Sequence, residues 1–491
     1  MGNVLVTGTD TLVFGPDTLL DGPDSPGGGG GTVMPSLDGL ISVTIDARTR
    51  SVTQKGFGTP LLLGSHNKYA DLVRPYDAAT CLSAMANDGF ETDHPLYLLA
   101  QAALSQNPSP VAVKIGKMNV AVAHTVELTP LNTTQGTVYK FDVCAKPGGV
   151  VTTINYTVGA AESVATICTA LQTQLAAATA TSGVTSTNVG PGTKLSLTQA
   201  AGKLIQVNNF QCIPDRRILA VRDTTAAPVN GYGTCLTNIA GVDSDFYGVA
   251  TDVNSKAVVL EVAALVETMK RVYSSSNCDP DCANVAINTD LFSAAKAAAY
   301  SRTWGALKQD ATLPGFGAAA LGNILPRVPG TYTAAYKTLA GQTADNGFSL
   351  ESAIVGKNGN WYEALAGNNI MFPGQMFSGQ FIDITIFIDL LCARIQEAVY
   401  GLLLNNPKIP FTASGLESVR SVIKGILNAN TESAKNPLGG LAADPAPFVT
   451  MPDVASISAN DKAARRLTNV RFQAVLSGAV HTVTIQGTVT L

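Results

Sequence analysis

The sequence predicts a mixed α/β (α+β) multidomain chain: an α/β body, a small β-rich domain inserted into it, and a C-terminal domain ending in a β-hairpin. Three observations carry this expectation. Strand and helix patterns alternate from Leu40 to Lys117 and again from Ile213 onward, the texture of an α/β layer. Between them, from about His124 to Cys212, charge nearly vanishes and Thr, Val and Gly dominate. The last stretch, "VHTVTIQGTVTL" (Val480–Leu491), alternates apolar and polar residues along its whole length, a strong strand signal. At 491 residues the chain is too long for one core. The expected divisions are residues 1–36, 37–123, 124–212, 213–348 and 349–491.

The first 36 residues read as an arm. Short apolar pieces, Val4 to Val6 and Leu12 to Phe14, alternate with Gly, Asp and Pro, and "SPGGGGGT" (Ser25 to Thr32) follows. Five consecutive glycines cost too much entropy inside a strand or helix, so this is a linker or loop. A phosphate-binding loop would need a following Lys-Ser/Thr and a helical pattern, and neither is present.

In the body, "ISVTIDA" and "GTPLLLGS" read as strands, "AATCLSAMANDG" as a helix closed by Gly89, "HPLYLLAQAALSQNP" as a helix ended before Pro108, and "PVAVKIGK" as a strand. The charge-poor region shows short strands at "TVYKFDV", "VTTINYTV", "VTSTNVG", "TKLSLTQ" and "LIQVNN". One helix, "AAESVATICTALQTQLAAA", interrupts them. The body resumes with strand "RRILAVRD", strand "SDFYGVATD", helix "SKAVVLEVAALVETMKRVYSS", strand "CANVAINTD" and helix "LFSAAKAAAYSRTWGAL". Pro314 to Phe348 is poorly patterned. "SAIVGKNGNWYEAL" predicts a hairpin turning at Asn358-Gly359.

From Gln380 the pattern is strongly helical, with Ile388, Leu391, Ile395, Val399 and Leu402 on the expected buried face. A second helix begins near Gly415, capped by Thr412 or Ser414. The chain closes with a hairpin: strand Leu467 to Leu476, turn Ser477-Gly478, then the long strand Val480–Leu491. At about 3.3 Å per residue that strand would span about 40 Å, a hazardous edge unless something pairs with it.

Composition restricts function. There are 32 Lys+Arg against 36 Asp+Glu, so no basic field awaits nucleic acid. Only 14% of residues are charged and 46 are Gly, a surface suited to being covered by copies of itself. "MGNVLVTGTD" lacks the basic start and long apolar core of a secretory signal, and Val6 breaks the myristoylation pattern. The most apolar stretch, Phe381 to Leu404, carries Asp383, Asp389, Arg394 and Glu397, which argues against a membrane span. The chain reads as made soluble in a cytoplasm.

Catalytic and metal signatures are scarce. The four histidines, His66, His94, His124 and His481, have no partner at ligand spacing and read as solvated or hydrogen-bonded. No G-x-S-x-G or H-E-x-x-H occurs. Six of the eight cysteines sit in apolar company or on a mixed helix face. The others, Cys278 and Cys282 in "NCDPDCAN", flank a polar turn expected to be exposed and form a candidate disulfide, local or between subunits. Zinc would need two further ligands, and calcium a Gly and closing Glu, all missing here. No cofactor is expected.

"GFGTPLLLGSH", "QNPSPVAVKIGK", the Phe381 to Leu404 helix, "NNPKIPFTASGLESV" and the closing "FQAVLSGAVHTVTIQGTVTL", in that order, resemble the contractile tail sheath proteins of myophages. The resemblance covers the α/β body and C-terminal region, and the β-rich insertion looks like the protruding domains of that family. It implies a structural, non-enzymatic subunit in stacked hexameric rings around a tail tube. Tube, baseplate and tail terminator proteins would be its partners, in a virion assembled in the bacterial host cytoplasm. It also implies a C-terminal sheath domain with Val470, Phe472 and Ala474 in a home sheet. Strands would be exchanged between copies through Val4, Leu5, Val6, Leu12, Val13, Phe14, Val483, Ile485, Val489 and Leu491. The competing readings are an α/β enzyme with an inserted substrate domain, or another phage tube or shell protein.

Overall fold

The structure, a computed structural model, describes residues 56–190, 192–199, 201–308, 315–345, 352–484 and 486. The arm with its glycine run and the strand read at "ISVTIDA" lie outside them. The described chain begins with β1 (Pro60–Ser65), β2 (Val73–Asp77), α1 (Cys81–Asn87), α2 (Pro95–Leu104) and β3 (Ala112–Met118). Helix α2 starts where Pro95 presets φ at the first helical position. The His94 ring caps it, accepting the Leu96 N–H at 3.2 Å.

Next come β4 (Thr125–Pro130), β5 (Val138–Lys146), β6 (Thr152–Thr157), α3 (Val164–Ser182), β7 (Thr185–Val189), β8 (Lys194–Thr198), β9 (Leu204–Asn208) and β10 (Leu219–Asp223). They form two antiparallel sheets, ordered β10-β4-β8-β7 and β6-β5-β9. Around α3 they close a core of their own, with Tyr139, Phe141, Leu171 and Leu197 fully buried. None of these strands joins the body sheet. Strand "RRILAVRD", read as part of the body, is β10, and it pairs with β4 instead.

The body continues with α4 (Tyr232–Val242), β11 (Gly248–Thr251), α5 (Lys256–Thr268), β12 (Val272–Asn277), α6 (Leu291–Ala297), β13 (Thr303–Leu307), α7 (Gly315–Ile324), α8 (Ser352–Gly356), β14 (Asn360–Leu365) and β15 (Asn368–Phe372). Eight strands form one sheet, ordered β15-β14-β13-β12-β11-β1-β3-β2. The inner six run parallel and the two edges antiparallel. A parallel sheet is covered on both faces, so its strands read as continuous apolar runs. β1 shows this: Leu62 enters one core, with Leu96, Leu321 and Phe387, while Leu61 and Leu63 enter the other, with Val258 and Phe292.

Several sequence readings change here. The helix pattern through "VYSS" breaks at Met269, and Val272–Asn277 becomes β12. Its three serines are buried: Ser274 Oγ bonds the Gly317 carbonyl (2.9 Å) and Ser275 Oγ the Trp304 carbonyl (3.2 Å), while Ser276 Oγ has no hydrogen-bond partner among the described residues. "CANVAINTD" is a short 3₁₀ turn and loop rather than a strand. The helix read through "RTWGAL" stops at Ala297, and Thr303–Leu307 is β13. For β12 and β13 a place in the buried sheet outweighs local helical spacing. Helix α7 emerged from the stretch without visible pattern because it is apolar all round. Its Gly322 lies so close to α2 that a Cβ would meet the Ala103 carbonyl oxygen at 2.1 Å.

The Asn-Gly pair does not turn a hairpin. Asn358, at φ 56°, ends α8: the Gly359 N–H reaches the Ile354 carbonyl (2.9 Å) and the Asn358 N–H the Val355 carbonyl (3.1 Å), the double bond pattern of a left-handed helix stop. The hairpin follows, β14 to β15, turning at Ala366-Gly367, both with positive φ.

The rest comprises α9 (Ile382–Asn405), α10 (Ala413–Ala429), β16 (Phe448–Thr450), α11 (Ala459–Ala463) and β17 (Arg471–Gln473). The α10 cap is Thr412, whose Oγ1 accepts the Gly415 N–H at 3.2 Å. Ile388, placed on the buried face by spacing, is exposed; Ile386, Phe387, Leu390 and Leu391 carry the burial. Among the described residues no helix is long and apolar enough to cross a membrane.

Candidate inter-subunit surface

The C-terminal region changes character along α9. Its first half is buried and held by charge: Asp389 accepts two bonds from the Arg302 guanidinium (2.6 and 3.0 Å) and one from the Tyr247 hydroxyl (2.8 Å). Its second half emerges from the core, and Tyr400 and Leu403 are exposed. Helix α10 lies against α9 through Leu416, Val419, Ile423 and Leu427, one stripe at helical spacing.

Beyond α10 the only sheet among the described residues is a ribbon of two three-residue strands, β16 and β17, with Val449 opposite Phe472. Val449 is buried, but Phe448 and Phe472 are 57% and 47% exposed. Arg420 Nε bonds the Val449 carbonyl at 3.3 Å and ties the ribbon to α10. Two short strands do not make a stable sheet alone.

The terminal segment crosses back over the body instead of forming the expected hairpin. β17 pairs with β16, and among the described residues Val480–Thr484 and Gln486 have no strand pairing. The Ala442 N–H bonds the Val475 carbonyl (2.8 Å), Leu476 bridges Leu441, and the Ser477 N–H bonds the Gly440 carbonyl (3.0 Å). Gly440 permits this approach: a Cβ there would meet the Phe387 ring at 2.6 Å. His481 is the last anchor. Its Nε2 shares a 2.8 Å hydrogen bond with Thr333 Oγ1, the Tyr336 hydroxyl donates to its carbonyl, and its ring meets Phe381 edge-on at 4.8 Å. It borders a cavity of about 50 Å³ beside Asp383, whose carboxyl burial pushes up while Thr333 and His481 pull it back. Past this anchor, among the described residues, Thr482, Val483 and Thr484 are exposed, Val483 by 74%.

Of the residues read as exchanging strands, Val483 alone is described. Val4, Leu5, Val6, Leu12, Val13, Phe14, Ile485, Val489 and Leu491 lie outside the described residues, so the structure brings none of the set together. His481, Thr333 and Tyr336 were missed as a site. Nothing in the sequence pairs residues 148 positions apart, and Thr333 lies in the stretch without pattern.

The turn at "NCDPDCAN" is not exposed as expected. Cys278 and Cys282 are buried free thiols. Burial pushes Cys278 up to about 12 and holds Cys282 well above its ordinary range, making both poor nucleophiles. The aspartates between them are folded inward by Arg222, whose Nε meets Asp279 (3.0 Å) and whose NH2 meets Asp281 (2.8 Å). His66, His94 and His124 are buried and hydrogen-bonded, each ring Nδ1 accepting a backbone N–H, from Lys68, Leu96 and Ile205 in turn.

In α/β sheets ligands enter at the carboxyl ends of the strands, where the strand order reverses. Here that point lies between β1 and β11. Asp252 fills it, accepting from the Ser65 N–H (3.1 Å) and the Tyr232 hydroxyl (2.5 Å), and burial raises its pKa to about 6. Thr251, Asn254 and Tyr273 complete a buried, mutually bonded cluster beside it. Among the described residues no three His, Cys, Asp or Glu side chains converge as a metal site.

No family model matches the chain, and no curated protein matches its sequence. Solved structures do match. The sheath of an extracellular contractile injection system (PVC), in its contracted state, aligns over 93% of this chain and 98% of its own, at 10% identity and TM-score 0.50. The chain has a tail sheath fold. The contracted helical sheath of the anti-feeding prophage aligns over 91% of this chain and 98% of its own, at 10% identity and TM-score 0.48. A sheath tail protein from Desulfitobacterium hafniense aligns over 89% and 99%, at 10% identity and TM-score 0.39. In this sheath fold the buried half of α9 belongs to the body, and Phe448 and Phe472 of the ribbon and residues 482–484 are exposed.

Proposed function

We propose that the chain is a structural subunit of a contractile tail sheath, without catalysis or cofactor. Copies form hexameric rings stacked around a tail tube, between a baseplate and a terminator, in a particle assembled in a bacterial cytoplasm. Contraction of that lattice drives the tube through an envelope. One observation supports the reading: beyond His481 the described terminal residues pair with no other described residue, and the sheet of the same region has, among the described residues, two short strands. Each has what the other lacks, and strand addition satisfies main-chain groups without demanding particular side chains.

At about 0.5–1.5 kcal/mol net per hydrogen bond, six such bonds would contribute roughly 3–9 kcal/mol before ordering costs. One link is weak, but a lattice of many is tenacious. The bonded cluster at Asp252 favours this reading over an α/β enzyme, because it occupies the crevice where such an enzyme would bind its substrate.

Deleting Ile485–Leu491 tests the proposal. The truncated chain should stay soluble with an unchanged melting temperature, and form no long hollow cylinders in negative-stain micrographs of samples where the full chain does. Normal cylinders from the truncated chain would refute strand donation by this end.

A further inference from the structure

The unit from β4 to β10 keeps a core of its own. Among the described residues, Cys278 is the one body residue that enters that core, and Leu204 the one residue of the unit that enters a body core. Two stretches of chain connect the unit to the body, and each has a defined rigid end. His124, just before β4, accepts the Ile205 N–H through Nδ1 at 3.0 Å and sets its Nε2 3.4 Å from the Asp223 carboxylate at the end of β10. Thr225 Oγ1 accepts the Thr125 N–H (3.0 Å), and the Gly202 N–H reaches the Val122 carbonyl (3.0 Å). Residues 122–125 and 223–225 are thereby fixed to the unit. Between them and the body lie residues 119–121 and 226–230, which form no strand or helix.

Two further ties are made by charge. Arg222 of β10 reaches across to Asp279 and Asp281 of the body. Asp93, two residues before α2, accepts the Gly148 N–H (2.8 Å) and lies 3.5 Å from Lys146 Nζ at the end of β5. Beside the Arg222 pairs a cleft of about 370 Å³ opens, lined by Leu219 and Val221 of the unit and by Pro280, Val285 and Leu307 of the body. A large apolar interface would fix two packed units, whereas a small polar one leaves relative motion as the default.

We propose that the unit from β4 to β10 is hinged on the body: residues 119–121 and 226–230 absorb its swing, and Arg222 and Asp93 are the latches that hold it in the position seen. A few irregular residues are enough to take up such a rotation. The swing alters the width of the cleft beside Arg222, and an open latch brings Leu219, Val221 and Leu307, buried here, towards solvent. The latches are ionic, so salt weakens them. The hinge lies within one copy and does not require strands to pass between copies.

The test measures a distance across the hinge. Exposed Val189 on β7 and Val242 at the end of α4 are replaced by a ketone amino acid that takes a nitroxide, which leaves the buried thiols untouched. The doubly labelled full chain is diluted into unlabelled chain, so that electron-electron dipolar spectroscopy reads distances within one copy. At low salt the distribution should be narrow. Arg222→Ala should raise the population outside the main peak roughly tenfold, the scale of one lost charge-assisted hydrogen bond. Arg222→Lys, which keeps the charge, should restore most of the peak. Lys146→Ala and high salt should each broaden the distribution by a smaller factor, and they carry the test should Arg222→Ala fail to fold. A distribution that stays narrow through every variant and salt would overturn the hinge. One that is broad throughout, or broadening by Arg222→Ala that Arg222→Lys leaves unchanged, would overturn the latches.

Discussion

Helix α9 and the segment after β17 are both apolar by composition, yet they meet opposite fates. Residues 382–391 bury Ile382, Ile386, Phe387 and Leu390 and close a charge pair inside the body. Residues 475–484 expose every side chain except that of His481. The difference lies in what each can bond within its own chain. A helix satisfies its backbone internally and needs only a packing surface. An extended segment needs another strand, and the described body offers none past Leu476. Among the described residues the body closes its own core, while the C-terminal edge keeps extended residues without a strand partner.

The sharpest way to break that contrast is inside the body. Asp389→Ala leaves the half-buried Arg302 guanidinium and the Tyr247 hydroxyl without their carboxylate. Losing one partner of a buried pair costs about 3–5 kcal/mol. Urea denaturation should show this loss, and a change below about 1 kcal/mol would mean the clamp does not hold α9 to the sheet.

A smaller effect comes from pH and again belongs to the body. Burial lowers the His94 pKa from 6.5 to about 4, because its ring must stay neutral to accept the Leu96 N–H. The folded value is depressed, so its contribution is present above pH 6.5 and is lost as pH falls towards 4. Between pH 7.5 and pH 5 that amounts to about 2 kcal/mol. His94→Asn keeps a capping acceptor without the titration. Its stability difference between those two pH values should shrink by about that amount, and an unchanged difference would place the acid sensitivity elsewhere, with buried His66 the next candidate.

Much of this was legible in residues. β1, β3, β11 and α2 follow from apolar runs bounded by Gly and Pro, and α10 from its Thr412 cap. What was not legible depends on partners far along the chain. Ser274 and Ser275 of β12 read as the end of a helix until Gly317 and Trp304 supply acceptors, and "NCDPDCAN" looks exposed until Arg222 draws its aspartates in. β17 follows the same logic: periodicity paired it with the next strand in sequence, whereas its partner is β16, more than twenty residues earlier. Of the candidate surface, the sequence singled out Val483, which is exposed, but not the anchor at His481 before it.

That anchor gives the smallest expected stability effect and separates the two regions most directly. His481 contributes one hydrogen bond to Thr333, edge contact with Phe381, and a carbonyl that accepts from Tyr336. His481→Ala removes the first two and keeps the third. For a half-exposed hydrogen bond and ring contact, the loss should be at most about 1 kcal/mol, near the limit of denaturant measurement. The local effect should be larger, because with the ring gone the Tyr336 hydroxyl on the 481 carbonyl and the contacts of Val475, Leu476 and Ser477 are, among the described residues, what holds the segment down. Amide exchange at Ala479–Thr484 should quicken, while exchange in β1, β12 and the first half of α9 stays unchanged. Equal acceleration in the body strands would show that terminus and body open as one cooperative unit. The C-terminal edge would then not be the independently exposed surface that strand donation requires.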